Sequence, residues 1–193
     1  GLDNDGIDAF LEHHLPYLAQ FNAPTIVSIA GKTHDEFVTM ARRLDGLEGV
    51  AGLELNISCP NVSGGVDFGT DPDLCGRVVR DVVAACELPV LAKLTPNVTD
   101  LVAIAQSAAE AGADAVTLIN TVLVMAVDWR QQRPLLGNVT GGLSGMGLRP
   151  ISLALVYQTA QVVDVPIIGV GGIFDAEHAL EYILAGASAV QIG

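Results

Sequence analysis

Six short apolar runs recur along the chain: "APTIVSIAG" (23–31), "AGLELNI" (51–57), "LPVLAKL" (88–94), "ADAVTLIN" (113–120), "VPIIGVGG" (165–172) and "ASAVQIG" (187–193). Runs this short, rich in Val, Ile and Leu and bounded by Gly, Pro, Asn or Asp, predict buried strands. The longer segments between them carry apolar residues at helical spacing, which predicts helices over about 33–45, 71–86, 99–111, 150–162 and 175–185, with another at about 6–20 before the first strand. Thr33, Asp71-Pro72, Thr99, Arg149-Pro150 and Asp175 stand where caps or first-turn prolines belong. Two helices end on matching phrases, "AEAGADAV" (109–116) and "ILAGASAV" (183–190), the trace of a repeated strand–helix unit.

Strict alternation of strand and helix implies a parallel sheet, either doubly wound and open or closed into a (β/α)8 TIM barrel. The loops decide between them. Polar and glycine-rich residues follow nearly every strand, in "NISCPN", "KLTPN", "INT", "GVGG" and "QIG", whereas an open sheet gathers its site at one switch point. The expectation is therefore an α/β chain forming one partial barrel domain over residues 1–193, covering about strands three to eight and buried on both sheet faces. Residues 121–149 are too many for a simple connection and predict an excursion over the active face. A chain that opens on Gly1 and stops at Gly193 right after a strand reads as a piece of a longer protein.

Composition narrows the partners. With 193 residues, 50% of them hydrophobic, the chain can bury a sizeable core. Nine basic residues against 22 acidic ones give a formal charge of −13, a field that repels nucleic acid and anionic membrane surfaces. No apolar run reaches the ~18 residues of a membrane span. Cys59, Cys75 and Cys86 form no CxxC pair and no His cluster, so neither a metal site nor a disulfide framework is expected, and a reducing cytoplasmic setting follows. Cys75 and Cys86 read as packing residues of one helix.

Several residues carry candidate chemistry. Gly171 and Gly172 let backbone N–H groups approach a phosphate after the seventh strand, with the helix near Asp175 adding its dipole; a plain tight turn is the other reading. Lys93 lies inside an apolar strand and needs an anionic or electron-rich partner, either a cofactor's polar ring edge or a carboxylate such as Glu54. Asn56, Asn61 and Asn120 at strand ends, with Thr121, offer the paired donors and acceptors that a planar ring with carbonyls requires, although each is separately a common turn former. Cys59 in "SCPN" is either a core thiol or a base whose pKa its surroundings lower. "NVTGGLSGMGLRP" (138–150) places permissive backbone just before a helix, ready to press against a ligand or simply to move.

Taken in order, "LNISCPN", "LAKLTPN", "LINT", "TGGLSG", "IIGVGGI" and "ASAVQIG" resemble the class 1 dihydroorotate dehydrogenases over the whole chain, and "VSGGVDFGTDP" with "TGGLSG" is most similar to the class 1B catalytic subunit. The resemblance implies a barrel holding FMN at its C-terminal face and oxidising dihydroorotate to orotate in pyrimidine synthesis. Cys59 matches the base that takes the C5 proton while C6 gives a hydride to the flavin. Asn56, Asn61, Asn120 and Thr121 match substrate-binding positions, Asn56 also facing the flavin, and Gly1 and Leu2 match the end of the substrate loop "N-x-x-G-L". Lys93, Ile119, Gly145, Gly171, Gly172 and Gly193 match FMN-binding positions, as does Ser28, where the family usually has asparagine. No threonine follows Gly193, and the first two strands with their lysine are missing, so these residues alone are expected to be inactive or unable to retain FMN; a yellow preparation that turns over would refute this.

Other flavin barrels fit less well. Dihydropyrimidine dehydrogenase-like enzymes use a cysteine farther along the loop, where Phe68 stands; tRNA-dihydrouridine synthases need a basic surface; class 2 enzymes use serine as base. A non-catalytic barrel module would have lost the polar strand ends that are present. Class 1B implies an FAD and iron–sulfur electron-transfer subunit passing electrons to NAD, and a homodimer or heterotetramer, whereas class 1A uses fumarate.

Overall fold

The computed structural model describes residues 4–57 and 68–193. The predicted strands appear as β1 (Thr25–Ile29), β2 (Val50–Asn56), β3 (Val90–Leu94), β4 (Ala115–Leu118), β9 (Ile167–Val170) and β10 (Ala189–Gln191). Between β4 and β9 lie four short strands, β5 (Val122–Met125), β6 (Val127–Asp128), β7 (Arg133–Pro134) and β8 (Thr140–Leu143). The six-stranded sheet runs in the order β1-β2-β3-β4-β9-β10, and every neighbouring pair is parallel. An order that follows the sequence has no reversal point, so the sheet winds in one direction, as barrels do and doubly wound sheets do not.

A contact across the sheet shows the curl. Glu54 on β2 and Gln191 on β10 are four strands apart in sheet order, roughly 19 Å on a flat sheet at ~4.8 Å per strand. Their side chains nonetheless meet at 2.6 Å. The described chain is a half-barrel, with the concave side inward.

Helices cover the convex side: α3 (His34–Leu44), α4 (Pro72–Val83), α5 (Leu101–Glu110), α6 (Arg149–Thr159) and α7 (Ala176–Leu184), each touching the next. They bury Val27 and Ile29 of β1, Leu53 and Leu55 of β2, Ala92 and Leu94 of β3 and Val116 and Leu118 of β4. The alternate residues face the concavity, where Glu54, Leu91 and Thr117 are buried as expected of strands covered on both faces, though not all by apolar side chains. Ser28, Glu54, Asn56, Lys93, Thr117 and Gln191 form a polar row on that side, because the concave face of a half-barrel holds a site as well as a core.

The segment before β1 is helical as predicted, but in three pieces: α1 (Gly6–Ala9), a π-helical turn over Phe10–His14 and α2 (Leu15–Ala19). Pro16 has no N–H to bond back along the helix, and Leu15 N–H bonds to Phe10 O, five residues earlier, which widens the turn.

Two other boundaries move. The fourth helix ends at Val83, not 86, because Leu88 precedes Pro89 and that sequence disfavours helical backbone; Cys86 therefore sits in the turn, its Sγ donating to Val82 O at 3.5 Å. Asp100 rather than Thr99 caps α5, its carboxylate accepting from Ala103 N–H at 3.0 Å. Thr33, Asp71 and Asp175 cap as predicted. Residues 121–149 fold as two antiparallel ribbons, β5 with β8 and β6 with β7.

Candidate active site

A cavity of about 600 Å³ opens at the C-terminal ends of β3, β4, β9 and β10, within the range of small-ligand sites. Lys93, Ile119, Asn120, Thr121, Gly145, Gly171, Gly172 and Gly193 all line it, so eight of the sequence-predicted site residues converge on one space. Asn56 joins them through Asn120, whose Nδ2 donates to Asn56 Oδ1 at 3.2 Å, while Thr121 N–H donates to Asn120 Oδ1 at 2.8 Å. The two amides are thereby held in fixed orientations at the rim.

Ser28 is placed elsewhere. It is exposed and lines a second cavity of about 510 Å³ between the 6–19 helical segment and β1, which Asn56 also borders. Cys59, Asn61, Gly1 and Leu2 lie outside the described residues.

Below the first cavity sits a buried charge network. Lys93 Nζ lies 3.3 Å from Glu54 Oε1, and Glu54 is only 3% exposed. Thr117 Oγ1 donates to Glu54 Oε2 at 3.0 Å, and Gln191 Nε2 donates to the same oxygen at 2.6 Å. Lys93 completes the ring by donating to Gln191 Oε1 at 3.4 Å. The ion pair with Glu54 forms, and Lys93 also lines the cavity.

At the other end of the cavity the backbone makes a cradle. Gly172 holds φ +67°, and a Cβ there would fall 2.6 Å from Gly145 O and 3.0 Å from Arg149 Cβ; Gly145 itself holds φ +83°. No side chain caps the helical turn over Met146–Leu148 or the start of α6, so backbone N–H groups there have no side-chain acceptor. At the start of α7, Asp175 accepts from His178 N–H at 2.9 Å and His178 Nδ1 accepts from Phe174 N–H at 3.2 Å, so these two donors are met by side chains while the helix keeps its dipole.

Side chains from two helices fix the cradle in place. Tyr182 of α7 donates its OH to Gly171 O at 2.7 Å, and Ser152 of α6 donates to Val170 O at 2.9 Å. Burial raises the Tyr182 pKa, with the Ser152 hydrogen bond pulling the other way. Gly169 leaves room for the Tyr182 ring, against which a Cβ would lie at 2.3 Å.

Sequence reasoning missed Thr117, Gln191 and Asn97. Asn97, in the quoted "LTPN", donates to Thr121 O at 3.0 Å and accepts from Leu123 N–H at 2.8 Å, tying the start of the excursion to the loop after β3. A lone polar letter in each strand was the available signal for Thr117 and Gln191. Cys75 is fully buried, and desolvation pushes its thiol up to about 12, as a packing role requires. Burial also raises Cys86. No cluster of metal-ligating side chains occurs among the described residues, and no described helix is long and apolar enough to cross a membrane.

Fold and site together define a parallel α/β half-barrel whose strand ends hold a glycine-rich turn at one end of a cavity and a half-buried lysine with amide groups at the other. The Dihydroorotate dehydrogenase family model matches residues 1–193, and the chain belongs to that family. It is 55% identical, over its whole length, to the dihydroorotate dehydrogenase B (NAD(+)) catalytic subunit of Citrifermentans bemidjiense and 56% identical to that of Desulforudis audaxviator, covering 64% and 63% of those proteins. The subunit of the same name from Pelobacter propionicus is 53% identical and covered to 64%.

Proposed function

We propose that this chain forms the cofactor- and substrate-binding face of a class 1B dihydroorotate dehydrogenase, oxidising dihydroorotate to orotate in de novo pyrimidine synthesis. The observation that carries the reading is the convergence of Lys93, Ile119, Asn120, Thr121 and the glycines 145, 171, 172 and 193 on one cavity, in a chain of this family. In this reading the six strands are the third to eighth of a (β/α)8 barrel, and 121–149 crosses over its active face.

The residues fit FMN. Gly145, Gly171 and Gly172 all hold positive φ, backbone that would let a phosphate approach closely, and the start of α7 would add the positive end of its dipole. Lys93 would hold the polar edge of the ring, Ile119 would pack on it, and Ser28 would reach it only with a shorter hydroxyl than the usual asparagine amide. FMN, when bound, supplies the hydride acceptor for C6 of the substrate.

The chain's own residues supply the rest. Cys59 takes the C5 proton as general base. Asn56, Asn61, Asn120 and Thr121 hold the ring's carbonyls and N–H groups, and the Asn120–Asn56 and Thr121–Asn120 hydrogen bonds set their orientation before substrate arrives. Gly1 and Leu2 close the substrate loop. The protein works in the cytoplasm with an FAD and iron–sulfur subunit that passes electrons to NAD, as a homodimer or heterotetramer.

The test is an assay of the full-length protein with NAD and with fumarate, with and without the partner subunit, alongside Cys59→Ser. The reading expects NAD-dependent turnover that needs the partner, and for Cys59→Ser a large loss of rate at neutral pH. Fumarate-driven turnover, or a serine variant as fast as wild type, overturns it.

A further inference from the structure

We infer that Glu54 is a positioning residue for Lys93 and that its charge tempers the effect of that ammonium on the flavin ring; the inference rests on the flavin reading above. Glu54 is buried on β2 and meets side chains from β3, β4 and β10. A carboxylate so placed is costly unless both oxygens are satisfied, and they are: Oε1 faces Lys93 Nζ, and Oε2 takes the Thr117 hydroxyl and the Gln191 amide. A buried ion pair is a poor source of stability compared with apolar residues of the same size, so stability alone does not account for it.

The geometry points to orientation. Gln191 gives its Nε2 to Glu54, which turns its Oε1 towards Lys93. Lys93 Nζ donates to Gln191 Oε1 and lies 3.3 Å from Glu54 Oε1 beneath the cavity, so the two partners hold the ammonium from below at the space that Lys93 lines. The network thus fixes where the ammonium sits.

It also fixes a field. A cation at the cavity floor favours the negative charge that a ring takes up with electrons, and a carboxylate 3.3 Å behind it opposes that effect. Lys93 is the nearer of the two, so the pair acts as a dipole with its positive end towards the cavity.

The test is the midpoint potential of FMN in the full-length holoprotein, with FMN affinity measured beside it. Glu54→Gln, which keeps the shape and removes the charge, should shift the potential positive by an amount on the order of tenfold in the reduction equilibrium, about 30 mV for two electrons. Glu54→Asp, which keeps the charge on a shorter stem, should stay near wild type in potential while binding FMN more weakly. If Glu54→Gln does not fold, the comparison moves to Lys93→Met and Lys93→Met/Glu54→Gln, saturated with FMN, where the double variant should lie at the higher potential. A Glu54→Gln potential equal to wild type, or a double variant no higher than Lys93→Met, overturns the inference and leaves the flavin reading intact. A full-length wild type that binds no FMN overturns that reading and this inference with it.

Discussion

Two large cavities among the described residues are nearly equal in size, about 600 and 510 Å³, and differ in what they have committed. The one at the ends of β3, β4, β9 and β10 is floored by an ion pair with every oxygen used and walled by glycines whose conformations allow no side chain. The one beside β1 mixes apolar residues such as Ile7, Phe10, Leu18 and Met40 with Asp5, His14, Ser28 and Asn56, and no ion pair floors it among the described residues. Volume does not mark a site. What marks it is polar groups held in place at a cost that packing alone would not incur.

Substitutions on the two sides should separate these cases, beginning with the largest effect. Lys93→Met leaves Glu54 buried without its cation and should lower folding stability by about 3 kcal/mol in urea titration, the lower end for a broken buried pair because Lys93 is partly open to the cavity. Gly172→Ala puts a Cβ against Gly145 O in a left-handed conformation, which costs about 1–3 kcal/mol. Relief by opening the cradle should weaken FMN binding by about 100-fold, since about 1.4 kcal/mol is tenfold. Fluorescence titration of the full-length protein measures it.

Cys75 adds a pH arm. Its thiol ionises near the ordinary 9.0 when unfolded and at about 12 when buried, so the folded state holds the proton longer. Stability is fully present below about 9 and is lost at up to about 1.4 kcal/mol per pH unit as pH rises towards 12. Cys75→Ala should flatten that part of the profile in unfolding curves taken across the alkaline range.

Much of the fold was legible because the strands alternate with helices and each strand has one uniformly apolar side. Asp71 and Asp175 show their caps in the letters. The breaks came where a contact lies between distant segments: Gln191 reads as one polar residue in "AVQIG" until the curl brings it to Glu54. Pro16 was visible, but the π turn it accompanies depends on where its neighbours bond. The glycines of the cradle are visible as a pattern, whereas the donors that their neighbouring helix satisfies for itself, as Asp175 takes the His178 N–H, are decided by side-chain geometry.

Two smaller effects sharpen the contrast between cavities. Tyr182→Phe removes the hydrogen bond to Gly171 O and should cost about 1 kcal/mol, with FMN affinity falling alongside because the turn loses its brace. Met40→Ala, in the cavity beside β1, should cost about 1 kcal/mol of stability and leave FMN affinity within twofold of wild type, measured by the same titration. A Met40 variant that loses FMN would erase the distinction between the two cavities.

The most direct measurement is the visible absorbance of the full-length, FMN-loaded protein on anaerobic addition of dihydroorotate. The account predicts that the flavin band bleaches with dihydroorotate, and that Cys59→Ser bleaches far more slowly at neutral pH. A band that dihydroorotate leaves unchanged in the wild type would contradict it.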